Sequence, residues 1–212
     1  MKIVFSALAG ILLLGAPIWA SADVDAPDVM LRNTVQDVLE IVRNDKDIRA
    51  GNIKRVLELI DAKVLPHFDF TRMTQLAVGR SWRTATPEQK QALVTEFRTM
   101  LVRTYAKAFT QFHDQTVEVK PLELQNDDKE VTVKSVINKP GGQPVLVDYE
   151  MEKLAEGWKV FDVTIEGVSL VATNRSSFNE KVQQSGIDGL IASLTSMNRD
   201  ASTNNSGKAE SK

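Results

Sequence analysis

The fold is decided by residues 145–165, which read VLVDYEMEKLAEGWKVFDVTI. Apolar side chains alternate with mostly polar ones from Val145 to Met151, and the alternation resumes at Phe161, Val163 and Ile165. A period of two puts the apolar side chains on one face of an extended chain. The intervening Glu156-Gly157 is typical of a tight turn. The segment therefore predicts two antiparallel strands with one shared apolar face.

Two more segments with the same period come earlier in the chain, at Val117/Val119 and at Val131/Val133. The turn-forming residues Asn-Asp-Asp at 126–128 and Pro-Gly-Gly at 140–142 separate the strands. Four strands joined by short turns predict an antiparallel meander with one apolar and one wet face.

Helical periodicity precedes these strands. Apolar residues recur every three or four positions from Leu31 to Val42 and again from Ile53 to Val64. A short helix is expected over residues 69–78. Thr86-Pro87-Glu88-Gln89 has the form of a capping box with proline at the first helical position. It predicts a long helix over about residues 87–112 that carries an aromatic stripe.

Helical periodicity also follows the strands, after Gly167. Residues 199–212 are polar and small, without apolar residues to anchor them, and we expect a disordered tail there. The predicted class is α+β, with a four-stranded meander packed against several helices as one domain over residues 23–198. Periodicity alone leaves open whether the space between sheet and helices is a filled core or a cavity.

The N-terminus indicates export. Lys2 precedes an apolar run over residues 3–15, and Ala20-Ser21-Ala22 has the small-x-small form of a signal-peptidase site. We expect residues 1–22 to be a cleaved signal peptide and the mature protein to be periplasmic. Removing Lys2 leaves 25 basic and 28 acidic residues, a net charge of −3. This balance argues against nucleic acid as a partner, and the absence of cysteine excludes disulfides.

Catalytic motifs are scarce. The chain has two histidines, His67 and His113, and lacks a cysteine nucleophile, a His-Glu-x-x-His metal pair and a Gly-x-Ser-x-Gly elbow. Asp127-Asp128 is interpreted as a turn rather than a metal site. Two alternatives stay open: an enzyme that uses His113 or Asp162 inside a cavity, and a chaperone or adaptor with an apolar groove for a protein ligand.

Two long blocks carry a resemblance to a known family. The first runs from Pro66-His67-Phe68-Asp69-Phe70 through the capping box to Arg103-Thr104-Tyr105-Ala106, and the second covers residues 162–190. In both, the chain resembles the MlaC family of periplasmic phospholipid-binding carriers, also described as toluene-tolerance proteins. The resemblance extends from about residue 28 to residue 197.

This resemblance implies a fold related to nuclear-transport-factor-like domains, with an apolar cavity between sheet and helices. It implies a non-enzymatic carrier that needs no cofactor and holds phospholipid as cargo, and we expect this carrier to be a monomer. The implied partners are an outer-membrane lipoprotein complex and an inner-membrane ABC transporter complex, and the implied role is the maintenance of outer-membrane lipid asymmetry.

A cavity for acyl chains is expected to have a volume of about 1,000 Å³, the upper end of ordinary pockets. Its predicted walls are the aromatic stripe of the long helix, the apolar sheet face, the segment after the last strand, and a rim. The expected lining residues are Leu76, Trp82, Phe97, Leu101, Tyr105, Phe109, Val133, Val147, Tyr149, Met151, Val163, Ile165, Val168 and Val171.

Overall fold

The computed structural model describes residues 25–112 and 114–206, with side chains described as far as residue 200. The predicted signal peptide and His113 lie outside the described residues. The helices and strands, in chain order, are α1 (Pro27–Asn44), α2 (Lys46–Arg49), α3 (Ile53–Leu59), α4 (Phe70–Val78), α5 (Pro87–Phe109), β1 (Thr116–Val119), β2 (Glu130–Asn138), β3 (Val145–Leu154), β4 (Gly157–Ile165), β5 (Val168–Ser169) and α6 (Leu170–Ser206).

The helix caps follow the sequence signals. Thr86 Oγ1 accepts a hydrogen bond from the Gln89 amide, and the Gln89 side chain accepts one from the Thr86 amide, which completes the predicted capping box. The helix behind it, α5, ends at Phe109 rather than near residue 112. Asp69 caps α4 by accepting a hydrogen bond of 2.8 Å from the Arg72 amide.

The sheet is an antiparallel meander in the order β1-β2-β3-β4-β5, so the prediction of four strands is wrong by one. The short β5 pairs with the end of β4 through Thr164↔Ser169 and Ile165↔Val168. The two turn residues, Glu166 and Gly167, both have positive φ, at 51° and 78°. Two such residues form the tight turn that matches strand twist. Glutamate is uncommon at such a position, which is why the pattern did not reveal the fifth strand.

A β-bulge changes which face the residues of β4 occupy. Asp162 pairs with Glu150 and Val160 pairs with Met151, so Phe161 has no partner of its own. Val160 and Val163 therefore face the same side of the sheet, whereas Phe161 packs with residues of α4 and α6. Strict alternation predicts Phe161 on the same face as Val163 and Val160 on the opposite face, and the bulge makes both predictions wrong.

The last helix, α6, continues to Ser206, past residue 199 where the sequence predicts the polar tail to begin. Once a helix is formed, each added residue gains a backbone hydrogen bond at little further entropic cost. The helix can therefore extend into polar residues that bury no apolar surface. Gly186 interrupts α6 with φ 70° and ψ −177°. Residues 207–212 lie outside the described part. Within the described part of the chain, no helix is long and apolar enough to cross a membrane.

The core consists of three clusters of buried residues. In the first, α4, α5 and α6 pack around Phe97 and Phe161. In the second, α1 packs on the inner face of the sheet around Val133 and Met151. In the third, α1, α2, α3 and α5 pack around Val42 and Ile48. The three clusters surround a space that none of them fills.

Candidate functional site

A cavity lies between the sheet, α1 and α5. Helix α5 makes its main contacts with α3, α4 and α6, whereas the sheet is not among its main partners. The separation between α5 and the sheet is the cavity, which has a volume of about 330 Å³. This is about a third of the volume predicted from the sequence and lies at the lower end of ordinary ligand pockets, about 300–1,000 Å³.

The wall of the cavity is almost wholly apolar. Of its 28 residues, all but Thr34, His67, Tyr105 and Tyr149 have hydrocarbon or thioether side chains. Helix α1 and the segment from Ile60 to Met73 supply half of the wall, and α5 and the sheet supply most of the rest. Such a surface offers few hydrogen bonds to water and suits a hydrocarbon ligand.

The cavity opens beside the second half of α5. Tyr105 is 37% exposed and Ala108 is also exposed, whereas Leu101, one turn earlier than Tyr105, is buried. On the sheet side, the wall residues become more exposed from Val163 towards Ile165 along β4. The opening therefore lies between this half of α5 and the sheet, and the opposite end is closed by buried side chains such as Val160.

Seven of the fourteen residues predicted to line the pocket are on the wall of this cavity. They are Leu101, Tyr105, Phe109, Val147, Tyr149, Val163 and Ile165. They come from the cavity side of α5 and from the inner face of the sheet, as the periodicity indicates. Their contact with a ligand stays a prediction.

The other seven predicted residues lie away from the wall. Phe97 and Val171 are buried in the cluster of α4, α5 and α6, and Leu76 and Trp82 pack against it. The Phe97 ring meets the Phe178 ring edge-to-face at 5.1 Å between centroids. The stripe of α5 is thus divided along its length: the first part packs in a closed core, and only the second part faces the cavity.

The remaining three of these seven residues are sheet positions. Val133 and Met151 are on the inner face but are buried in the closed cluster around α1. Val168 is 57% exposed in β5, because the turn before it carries the chain to the sheet edge. Strand alternation identifies the face of a residue but not which part of that face another element covers.

Sequence reasoning missed the contribution of α1 and of residues 60–73. Seven residues of α1, from Met30 to Val42, line the cavity. Their stripe is visible in the sequence, but a stripe shows only that one face of a helix is buried, not what it is buried against. In the second segment, a π-helical turn and a 3₁₀ turn (Ile60–Val64 and Leu65–His67) bring His67 and Phe68 to the wall.

Two of the polar wall residues bind each other. Thr34 Oγ1 donates to the Met30 carbonyl at 2.9 Å and lies 3.2 Å from His67 Nε2. In the tautomer with the proton on Nε2, the imidazole donates to Thr34 Oγ1 while Thr34 donates to the carbonyl. Burial, and secondarily the charge of Lys159, lower the pKa of His67. The imidazole is therefore neutral at neutral pH, which suits an apolar wall.

The side chain of Asp162, one of the two candidates for catalysis, is occupied by structural hydrogen bonds. Its carboxylate accepts from the amides of Val163 and Val171, at 2.8 and 3.1 Å, and from the Ser169 hydroxyl. These bonds hold β5 and the start of α6 against β4, and Asp162 is not on the cavity wall. Among the residues with described side chains, no group of three or more His, Asp or Glu is placed to hold a metal ion.

The fold and the cavity define an α+β binding protein with a hydrocarbon-lined pocket. The family model described as MlaC protein matches residues 32–196, so the chain belongs to the MlaC family, as the two sequence blocks indicate.

Two relatives match over most of their length. The chain is 24% identical over 179 residues to the toluene tolerance protein ttg2D of Pseudomonas putida, covering 84% of this chain and 82% of the relative. It is 22% identical over 172 residues to the intermembrane phospholipid transport system binding protein MlaC of Haemophilus influenzae, covering 80% of each.

A solved structure is also similar. It is the phospholipid-binding protein from Ralstonia solanacearum in complex with a phospholipid, with 38% identity and a TM-score of 0.79. The match covers 84% of this chain and 99% of that one. The Haemophilus and Ralstonia relatives are phospholipid transport and binding proteins, not enzymes.

Proposed function

We propose that this protein is a periplasmic phospholipid carrier that encloses acyl chains in the cavity between the sheet, α1 and α5. The observation that carries the proposal is the wall itself, in which 24 of 28 residues are apolar. The neutral His67 and the structural use of Asp162 favour binding over catalysis. The phospholipid bound by the similar Ralstonia protein supports the choice of ligand.

The physical task of such a carrier is to keep hydrocarbon away from water. Each exposed methylene costs about 0.8 kcal/mol, so a chain with about 14 methylenes costs roughly 11 kcal/mol when it leaves a membrane. An apolar cavity offsets this cost without acids, bases or metals. The phosphate and the headgroup stay hydrated at the opening beside Tyr105.

Loading is expected to widen the cavity. Its volume of about 330 Å³ is small for two acyl chains, and α5 has few contacts with the sheet that would resist separation. We infer that α5 and the sheet move apart as lipid enters. Association of the ligand then supplies the free energy for the wider state.

The proposed role is to move phospholipid between an outer-membrane lipoprotein complex and an inner-membrane ABC transporter complex, and so to maintain outer-membrane lipid asymmetry. The name of the Haemophilus relative, an intermembrane phospholipid transport system binding protein, supports this role. The periplasmic location follows from the signal-peptide prediction and from the family.

The test is lipid extraction from gently purified protein, followed by mass spectrometry, in two variants that differ by one position. Val147→Glu places a carboxylate on the cavity wall, whereas Leu146→Glu places it on the outer face of the same strand, where Leu146 is 55% exposed. We expect Val147→Glu to abolish copurifying phospholipid and Leu146→Glu to retain it. Both should keep native far-ultraviolet circular dichroism.

Two results would contradict the proposal. Equal lipid content in the two folded variants would place the lipid outside the cavity. Wild-type protein that copurifies with a protein ligand and carries no lipid would favour the chaperone or adaptor alternative.

A further inference from the structure

Two hydroxyl groups interrupt the apolar inner face of the sheet. Ser135, on β2, is 1% exposed, and its Oγ has no hydrogen-bond partner among the described residues. Tyr149, on β3, is the diagonal neighbour of Ser135, because Tyr149 pairs with Val133 and Ser135 pairs with Val147. Burial raises the pKa of Tyr149, and the neighbouring Ser135 hydroxyl partly opposes this effect. These two hydroxyls are called the hydroxyl pair below.

The register places the hydroxyl pair next to the cavity. Ser135 lies directly opposite Val147, and Tyr149 is two residues further along β3 on the same face. Val147 and Tyr149 line the cavity, as does Ile137, two residues after Ser135 on β2.

The depth of the hydroxyl pair is intermediate. Along β2 the inner face is buried at Val133 and Ser135 and becomes partly exposed at Ile137. Two residues of strand correspond to roughly 7 Å. The hydroxyl pair thus lies about 7 Å inside the more exposed end of the sheet wall. In a phospholipid whose headgroup stays in water, the groups just below the glycerol are the acyl ester carbonyls.

An unpartnered hydroxyl in a buried apolar surface destabilises the free protein, because it has left water without replacing its hydrogen bonds. When Ser135 Oγ–H donates to Tyr149 Oη, the Tyr149 Oη–H remains as a donor for an oxygen atom of the ligand. A carbonyl oxygen completes this chain, and hydrogen bonds in such a series strengthen one another.

We propose that the Tyr149 hydroxyl, positioned by Ser135, donates a hydrogen bond to an ester carbonyl of the bound lipid, so that the cavity selects ester-linked over ether-linked chains. This proposal rests on the proposed function, since it assigns a specificity residue to the same cavity. A site that hydrogen-bonds a ligand group discriminates against the analogue that lacks the group.

The test is a competition between two lipids that differ only in the carbonyl groups. Lipid-free protein is incubated with mixed vesicles of dipalmitoyl phosphatidylethanolamine and its dihexadecyl-ether analogue in equal amounts, and the extracted lipids are measured by mass spectrometry. One neutral hydrogen bond corresponds to about a 2- to 12-fold preference for the ester lipid. We expect this preference in wild type, its loss in Tyr149→Phe, and a reduced preference in Ser135→Ala.

Thr132→Val is the control, because it removes a hydroxyl from the outer face of β2, where the Thr132 side chain donates to Glu150 and does not line the cavity. It should keep the ester preference. Equal uptake of both lipids by wild type would overturn the proposal and assign the hydroxyl pair to a water molecule. A preference that survives Tyr149→Phe would also overturn it. Failure to take up either lipid would instead refute the proposed function.

A second readout separates binding from a structural role for the serine. Because Ser135 Oγ is unpartnered, Ser135→Ala should raise the melting temperature of the lipid-free protein while it weakens the ester preference. A lower melting temperature together with an unchanged ester preference would show that the hydroxyl only stabilises the fold, and the positioning role of Ser135 would be wrong.

Discussion

Two phenylalanines on one helix test whether the space beside α5 is hollow. Phe97 is 0% exposed in the closed cluster of α4, α5 and α6, and its ring contacts Phe178. Phe109, on the same helix, is partly buried and borders the cavity. The perturbation is Phe→Ala at each position, which removes the same atoms from two different environments.

The expected costs differ because only one substitution creates a new cavity. Phe97→Ala removes a ring surrounded by protein and should lower the free energy of unfolding by about 3–5 kcal/mol. Phe109→Ala enlarges a space that already exists, so only the transfer of a partly buried ring is lost, about 1–2 kcal/mol. The difference, about 2 kcal/mol, corresponds to roughly 4–8 °C in melting temperature for a chain of this size.

The assay is urea unfolding of lipid-free protein, because bound lipid stabilises the folded state and would mask the difference. The amount of lipid bound per folded protein should change in Phe109→Ala and stay near the wild-type amount in Phe97→Ala. The effect on lipid binding is therefore expected to be larger in the variant that is less destabilised. If Phe109→Ala costs as much as Phe97→Ala, the ring at 109 is packed as in a closed core. The hollow interior, and the carrier function with it, would then be refuted.

Two further predictions concern His67 on the cavity wall and an ion pair away from the cavity. Burial lowers the pKa of His67 in the folded protein. The unfolded chain therefore binds a proton at higher pH than the folded protein does. The free energy of unfolding should fall as pH decreases through about 6.5 and level off below the folded pKa. The melting temperature should fall less with decreasing pH in His67→Gln than in wild type. The same pH dependence in both proteins would contradict this prediction. Arg72 pairs with Glu152, whose side chain is only 14% exposed. Arg72→Met should therefore lower the free energy of unfolding by about 2–4 kcal/mol, measured by urea unfolding. A loss below about 0.5 kcal/mol would show that the pair behaves as an ordinary surface ion pair.

Local signals predicted most of the elements. The capping box at Thr86 sets the start of α5, and the alternation of residues 145–165 sets the two central strands. Where local signals failed, the backbone conformation at one position was responsible in each case. Glu166 adopts positive φ and so adds β5, and the bulge at Phe161 moves Val160 to the inner face. Neither choice has a reliable signature in residue type.

The candidate site was half predicted, for a related reason. Periodicity assigned Phe97 and Phe109 to one face of α5, and both are indeed turned inward. Packing then separates them, because α6 covers the first part of that face and leaves the second part open. The contribution of α1 was missed because the same apolar stripe is expected whether the helix packs on other side chains or lines a cavity.

By itself, the sequence determined the α+β class, the antiparallel order of the main strands, the caps of the helices and the family. These features depend on interactions between residues that are close in the chain or on long matching blocks. Only the tertiary structure decided that α5 stands away from the sheet, that the cavity opens beside Tyr105, and that the buried Ser135 lies opposite the wall residue Val147. Such features depend on distances between elements far apart in the chain, and hydrophobic periodicity carries no information about those distances.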